Sequence, residues 1–149
     1  MAQQAIETVQ DMVVVGGGLA GLTMALALKR AFSGQLKVAL VDPHGLDPLP
    51  RSGRAYAIAA GACNMFEALG VWDKIAASAQ PIERMVITDS RLSEPVRPVF
   101  LTFDSPQQAE QPYAYMVEQD DLLRVLQDAL RETDLAVFKT RAKGFETHA

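Results

Sequence analysis

Several residue types that define whole classes of protein are scarce in this sequence. It has one cysteine, Cys63, so no internal disulfide can form and a reducing cytoplasm is the natural compartment. Its two histidines, His44 and His148, are far apart and no Cys/His cluster has zinc-site spacing, so we predict no metal. The 14 basic residues are outnumbered by 18 acidic ones, which argues against nucleic acid as a partner.

The sequence also lacks a run that would suit a membrane span or a signal peptide. Residues 12–28 carry no charge, but no Lys or Arg precedes them, as the positive end of a signal requires. Three consecutive glycines, Gly16 to Gly18, interrupt the stretch and would weaken a continuous apolar helix. The pattern therefore predicts a strand, a turn and a helix.

The first forty residues predict a βαβ unit and hence an α/β fold. Residues 11–15 form a short β-branched run of the kind that is buried on both faces of a parallel sheet. Residues 22–30 favour a helix, which Ser33 and Gly34 should end. Residues 36–41 predict the second strand, and the apolar run 135–138 should return to the same sheet.

The rest of the chain predicts a loop, short helices and further strands. Residues 43–53 are rich in Pro and Gly, and short helices should follow over 62–69 and 72–76. Strands are predicted over 82–88 and 96–103, with polar loops at 89–95 and 105–112. Asp120 should cap a helix with an amphipathic stripe. The apolar positions of that stripe are Leu122, Val125, Leu126, Ala129 and Leu130.

Gly16, Gly18 and Gly21 form a G-x-G-x-x-G pattern between the first strand and the first helix. The first glycine allows a tight turn, the second a close approach to a diphosphate, and the third close helix–strand packing. Asp42 lies 21 residues after Gly21 at the end of the second strand, where a carboxylate can bind an adenosine ribose. Two alternatives remain open: the glycines form only a flexible turn, and Asp42 only begins an Asp-Pro turn.

Two later segments carry a resemblance to a known family. Residues 51–58 contain Arg-Ala-x-Ala-Ile, and residues 61–72 end in Leu-Gly-Val-Trp. These segments resemble the class A flavoprotein monooxygenases, and within them the ubiquinone-biosynthesis hydroxylases of the 2-octaprenyl-6-methoxyphenol hydroxylase-like group. The resemblance runs from Asp11 to the C-terminus and covers roughly the first third of a typical member.

The resemblance implies a set of FAD-binding residues, which are Gly16, Gly18, Leu19, Ala20 and Gly21 for the diphosphate, Asp42 for the ribose, Arg54 beside the flavin or its phosphates, and Gln119 at the linker. It implies NAD(P)H as the reductant and a phenolic, polyprenylated substrate, in a cytoplasmic enzyme with peripheral contact with the inner membrane. The oligomeric state and any catalytic acid or base stay open. Without the resemblance, Arg54 reads as a solvated loop residue and Gln119 as a helix-start residue.

A second FAD motif of the family, a Gly-Asp pair, has no counterpart in this sequence. We therefore expect residues 1–149 to be the N-terminal part of an incomplete domain: a Rossmann-like FAD-binding βαβ unit and the start of a substrate-side β-sheet. We expect these residues alone to lack hydroxylase activity and to bind FAD weakly or not at all. The alternatives are another FAD enzyme, such as a halogenase, epoxidase or reductase, and a Rossmann-shaped domain without a ligand.

Overall fold

A computed structural model describes residues 9–88, 93, 96, 98–104 and 112–147. These residues form eight strands and four helices, as expected for an α/β protein. In chain order the elements are β1 (Met12–Val15), α1 (Leu19–Ala31), β2 (Val38–Val41), β3 (Ala55–Ala59), α2 (Ala60–Ala68), α3 (Trp72–Ala76), β4 (Gln80–Pro81), β5 (Arg84–Thr88), β6 (Val99–Asp104), β7 (Ala114–Glu118), α4 (Gln119–Arg131) and β8 (Ala136–Phe138).

The predicted βαβ unit is present, and its strands belong to a parallel sheet with the order β1-β2-β8. Met12 pairs with Val38 and Val15 with Val41, so β1 and β2 end at the same edge of the sheet. The apolar run before residue 139 returns to this sheet, where Val137 pairs with Leu40. All four residues of β2 are buried, because β2 has a hydrogen-bonded neighbour on each side.

The expectation that β1 is buried on both faces is wrong. Val13 is 51% exposed and Val15 64% exposed, while Val14 is partly buried against the core. Among the described residues β1 pairs only with β2 and is therefore an edge strand. The β-branched side chains predicted the strand correctly but not the exposure of its side chains, because burial depends on neighbouring elements that the local pattern does not specify.

A second sheet, with the order β3-β7-β4, was not predicted. Its strands β3 and β7 pair antiparallel, with Ala55 opposite Glu118 and Ala59 opposite Ala114. Residues 55–59 contain three alanines, which are poor strand formers, so they show no strong strand signal. Their extended conformation depends on a partner about sixty residues away in the chain. This sheet carries part of the candidate site.

The helices meet in one hydrophobic core. The predicted stripe of α4 is buried at every position: Leu122, Val125, Leu126, Ala129 and Leu130. The stripe joins the same cluster as Leu22 and Leu26 of α1. Phe66, Trp72 and Cys63 also lie in this core.

Strands β5 and β6 form a separate antiparallel ribbon in which Arg84 pairs with Asp104. Both strands were predicted, although each begins two or three residues later than expected. Every residue of the ribbon is exposed in this structure. Most of the turn predicted at 89–95 and of the loop predicted at 105–112 lies outside the described residues, as does His148.

Candidate functional site

The turn between β1 and α1 needs glycine at its first and last motif positions. Gly16 has φ +106°, a left-handed conformation that side chains disfavour, and its N–H donates to Val41 O at 2.9 Å. A methyl group on Gly21 would lie 1.9 Å from Gly16 O and 3.4 Å from a Val14 methyl carbon. Both predicted roles are therefore confirmed: Gly16 makes the turn, and Gly21 lets α1 approach it.

Gly18 faces open space at the start of α1. A methyl group there would have no heavy atom within 4 Å, and no side chain caps the helix at this position. Within the described residues the N–H groups of Leu19, Ala20 and Gly21 have no hydrogen-bond partner. Such unpaired N–H groups carry the positive end of the helix dipole. The mouth of the turn is thus unobstructed and suited to a diphosphate.

Asp42 follows β2 and reaches across to the glycine turn. Its Oδ2 accepts a hydrogen bond from Gly17 N at 2.8 Å, and its Oδ1 accepts one from His44 N at 2.7 Å. Desolvation raises the pKa of this carboxyl, but hydrogen bonds from the amides of Gly17, His44 and Gly45 outweigh it and lower the pKa. The carboxylate is therefore charged at neutral pH.

The contacts of Asp42 fit both interpretations of this residue. The bond to His44 N, two residues on, is the local turn that an Asp-Pro sequence favours. A carboxylate offers about four lone pairs and three amides occupy it, so one acceptor position remains for a ribose hydroxyl. The turn and a ribose contact are therefore compatible.

Gly17 is a sterically restricted position that the motif alone does not identify. A methyl group on Gly17 would lie 2.9 Å from the Asp42 carboxyl carbon and 3.2 Å from Gly45 O. Glycine is thus needed here for the carboxylate to reach the turn. The third consecutive glycine in the sequence was the signal that could have identified this position.

Arg54 and Gln119 are brought together by the second sheet. The Gln119 amide N–H donates to Arg54 O at 2.8 Å, where β3 and β7 end beside the first turn of α4. The Tyr56 hydroxyl donates to Gln119 Oε1 at 3.0 Å. Within the described residues the Arg54 guanidinium has no ion pair or hydrogen bond, so its charge remains available to an anionic ligand.

Asp120 does not cap α4, contrary to the expectation. The helix begins one residue earlier, at Gln119, and no side chain caps it. The Asp120 carboxylate instead accepts hydrogen bonds from Ser52 N at 3.1 and 3.2 Å and from Ser52 Oγ at 3.1 Å. Ser52 Oγ in turn accepts from Arg54 N at 3.3 Å. These hydrogen bonds, which we call the Asp120–Ser52 clasp, attach the loop that carries Arg51 and Arg54 to the start of α4.

The sequence-predicted residues thus form two groups. Gly16 to Gly21 and Asp42 share the edge of the parallel sheet, whereas Arg54 and Gln119 share the end of the second sheet. The packing of α1 against α4 connects them, because each helix begins at one of the two groups. In the described part of the chain, no cluster of three or more His, Cys, Asp or Glu could hold a metal ion. Nor does any helix there have the length and apolar character to cross a membrane.

A protein-family profile described as "FAD binding domain" matches residues 9–149, nearly the whole chain. The chain belongs to this FAD-binding family. FAD is the family's cofactor, and the glycine turn with its open mouth fits the diphosphate of that group.

Similar proteins confirm the resemblance to ubiquinone-biosynthesis hydroxylases. Ubiquinone hydroxylase UbiL of Rhodospirillum rubrum is 32% identical over 124 residues, which are 83% of this chain and 27% of that protein. The mitochondrial ubiquinone biosynthesis monooxygenase COQ6 of Caenorhabditis elegans is 30% identical over 142 residues, 89% of this chain and 30% of that protein. The chain therefore spans less than a third of the length of either relative.

Solved structures show the same fold. p-Nitrophenol 4-monooxygenase PnpA of Pseudomonas putida DLL-E4 superposes with a TM-score of 0.64 at 22% identity, over 89% of this chain and 31% of that one. The flavin-dependent monooxygenase PieE, solved with FAD and substrate, gives 0.62 at 23% identity, over 89% of this chain and 24% of that one. The predicted α/β class and Rossmann-like unit are confirmed.

Proposed function

We propose that this chain is the FAD-binding N-terminal part of a flavin-dependent monooxygenase that hydroxylates a phenolic ring, with NAD(P)H as reductant. The observation that carries the proposal is the unobstructed glycine turn beside Asp42. When bound, FAD supplies the redox chemistry that activates oxygen. The residues of this chain bind and orient that cofactor, and none of them is proposed as a catalytic acid or base.

The adenosine half of FAD would lie at the parallel sheet. The N–H groups of Leu19, Ala20 and Gly21 would donate to the diphosphate, and Gly18 would let the backbone approach it closely. Asp42 would accept a hydrogen bond from a ribose hydroxyl, since it is ionised and keeps one free acceptor position. These are the atoms that a bound adenosine diphosphate would require.

The flavin half would extend toward the second sheet. Arg54 would place its unpaired guanidinium beside the phosphates or the flavin, and Gln119 would donate to the linker between them. A charge-assisted hydrogen bond from arginine to phosphate is stronger than one between neutral groups. The Asp120–Ser52 clasp supports this role because it holds the arginine-bearing loop against α4.

The names of the relatives support a polyprenylated ubiquinone precursor as the substrate. Such a substrate is partly membrane-embedded, so we propose a cytoplasmic enzyme in peripheral contact with the inner membrane. This part of the proposal rests on the relatives rather than on any of the residues proposed to bind FAD.

The decisive experiment blocks the mouth of the turn without disturbing the fold. Gly18→Val places a side chain where the diphosphate would lie, and Gly61→Val is the matched control, because that glycine in α2 also has no heavy atom within 4 Å of an added methyl group. Binding of ADP and FAD is measured by backbone amide NMR, which detects millimolar affinities.

We expect ADP to shift the amide resonances of residues 16–21 in the unsubstituted chain. Gly18→Val should weaken ADP binding at least about tenfold, the loss of roughly one hydrogen bond to a charged group. Gly61→Val should bind as the unsubstituted chain does. Absence of any ADP-induced shift at millimolar concentration, or equal binding by both variants, would refute the proposed diphosphate site.

A further inference from the structure

A tyrosine outside the glycine motif contacts one of the proposed FAD-binding residues. Tyr56 lies in β3 and Gln119 begins α4, yet the Tyr56 hydroxyl donates to Gln119 Oε1 at 3.0 Å. Tyr56 is 39% exposed and does not belong to the hydrophobic core. Its hydroxyl therefore contributes little to packing, and the bond to Gln119 is its distinctive contact.

This hydrogen bond holds the Gln119 side chain in place and occupies its amide oxygen. A glutamine side chain offers an acceptor oxygen and an NH₂ donor group of nearly the same shape, so an isolated amide can turn by half a rotation. A tyrosine hydroxyl can donate to Oε1 or accept from Nε2, so its bond fixes where the amide lies; in the orientation seen here it occupies Oε1. Within the described residues Gln119 Nε2 has no partner, so both of its N–H donors remain free for a ligand.

We propose that Tyr56 is a positioning residue for FAD: it holds the Gln119 amide so that its NH₂ group donates to the linker. The linker presents phosphate and ribityl oxygens, and phosphate oxygens only accept hydrogen bonds. An amide turned the other way would present its oxygen to the phosphate oxygens and repel them. This inference rests on the proposed function, because it assigns the orientation of a residue in that site.

The main chain around Gln119 does not depend on Tyr56. The Gln119 N–H is held by Arg54 O at 2.8 Å, and β3 stays paired with β7 through backbone hydrogen bonds. Tyr56→Phe therefore removes the hydroxyl and keeps the ring, the strand and the helix start. We expect it to leave the unfolding midpoint unchanged, which separates a positioning role from a structural one.

The test compares FAD with ADP in a double-mutant cycle. The proteins are the unsubstituted chain, Tyr56→Phe, Gln119→Met and the double variant, with Tyr113→Phe as the matched control. The Tyr113 hydroxyl has no hydrogen-bond partner among the described residues, so its loss should be silent. ADP lacks the ribityl and flavin part and reports on the adenosine half alone. Affinities are measured by NMR, including the side-chain NH₂ resonances of Gln119.

We expect Tyr56→Phe to weaken FAD binding about three- to tenfold, the effect of one hydrogen bond, and to leave ADP binding unchanged. In the Gln119→Met background the same substitution should have no further effect, because the amide it orients is gone. The Gln119 NH₂ resonances should shift on FAD addition in the unsubstituted chain and less in Tyr56→Phe.

Three results would overturn the inference. FAD binding by Tyr56→Phe that equals that of the unsubstituted chain removes the positioning role. FAD binding by Gln119→Met that equals that of the unsubstituted chain shows that Gln119 does not contribute to cofactor binding. Equal loss for ADP and FAD means that Tyr56 is structural. If the unsubstituted chain does not bind ADP, the proposed diphosphate site itself fails, a result distinct from the other three.

Discussion

Gly21→Ala is the substitution that tests most directly the close approach of α1 to the glycine turn. A methyl group at this position would lie 1.9 Å from Gly16 O, more than 1 Å inside the 3.0 Å limit that real Cβ atoms keep. The obstructing atom is backbone, so no side-chain rotation can relieve the overlap. The first turn of α1 would have to move away from β1, and the N–H groups at the mouth would move with it.

Two opposing effects set how much Gly21→Ala changes the free energy of unfolding. In a helix interior alanine is about 1 kcal/mol more favourable than glycine, which by itself predicts stabilisation. Overpacking costs about 1–3 kcal/mol, and a backbone obstacle places this case at the upper end of that range. The expected net loss is about 2 kcal/mol. For a domain of this size that corresponds to a fall of about 4–8 °C in the unfolding midpoint.

Gly18→Ala provides the matched comparison three residues earlier. Its methyl group meets nothing within 4 Å, and the backbone at Gly18 is extended, with φ −78° and ψ −179°. Loss of a favourable capping residue and gain from a less flexible unfolded chain are each below about 1 kcal/mol and oppose each other. We therefore expect a change within about 0.5 kcal/mol of zero.

The assay is urea unfolding followed by tryptophan fluorescence. Trp72 is the single tryptophan, is 8% exposed, and packs edge-on against Tyr115 with ring centroids 5.1 Å apart. It belongs to the same core as Leu22 of α1, so its emission reports loss of the shared core. Gly21→Ala at or above the stability of the unsubstituted chain would refute the close contact, and so would equal losses for the two alanine variants.

Three further predictions follow from individual contacts. Hydrogen bonds lower the pKa of Asp42 in the folded state. The stability that this carboxylate contributes is therefore complete above the ordinary carboxyl pKa of about 3.9 and is lost as the pH falls through the pKa of the folded state. Urea midpoints should fall more between pH 5 and pH 3 for the unsubstituted chain than for Asp42→Asn. Asp120→Ala removes the hydrogen bonds to Ser52 and should speed trypsin cleavage after Arg51 and Arg54 about fivefold, because about 1 kcal/mol of local stability is lost. Asp128→Ala, on the same helix, should leave the cleavage rate unchanged. The buried Lys29 ammonium contacts the exposed Asp134 carboxylate at 2.5 Å and also donates to Leu36 O at 3.1 Å, so Asp134→Ala leaves a buried charge with one acceptor. Thermal unfolding should show Asp134→Ala as more destabilised than Lys29→Met, and the reverse order would contradict the dependence of Lys29 on Asp134.

The parts of the fold that depend on local pattern could be predicted from the sequence. The stops at Ser33 and Gly34 and the buried stripe of α4 follow from residues within one or two helical turns, whereas α1 begins at Leu19, three residues before the predicted range. Ser33 and Gly34 both adopt positive φ, 47° and 78°, as a helix stop requires. Asp42 could be predicted because its spacing from the motif is fixed by the length of one helix and one strand.

The parts that depend on distant partners could not be predicted in this way. Strand β3 is extended because β7 pairs with it, and nothing within residues 55–59 announces that partner. Asp120 has the residue type of a helix cap, but Ser52 competes for its carboxylate from 68 residues away. The exposure of Val15 has the same origin, since its surroundings depend on the neighbours of β1 rather than on its own sequence.

Helix packing sets the distance between the two proposed half-sites for FAD, which are the glycine turn at the start of α1 and the Arg54–Gln119 pair at the start of α4. The amides proposed for the diphosphate begin α1, and Gln119 begins α4, so their separation is fixed by how the two helices pack. That packing uses Leu22 and Leu26 on α1 and the buried stripe on α4. A core substitution such as Leu26→Ala, remote from any proposed ligand contact, should therefore weaken FAD binding more than ADP binding, because ADP needs one half-site and FAD needs both in register. Equal effects on the two nucleotides, measured by the same NMR titrations at a temperature where the variant stays folded, would show that the half-sites are positioned independently.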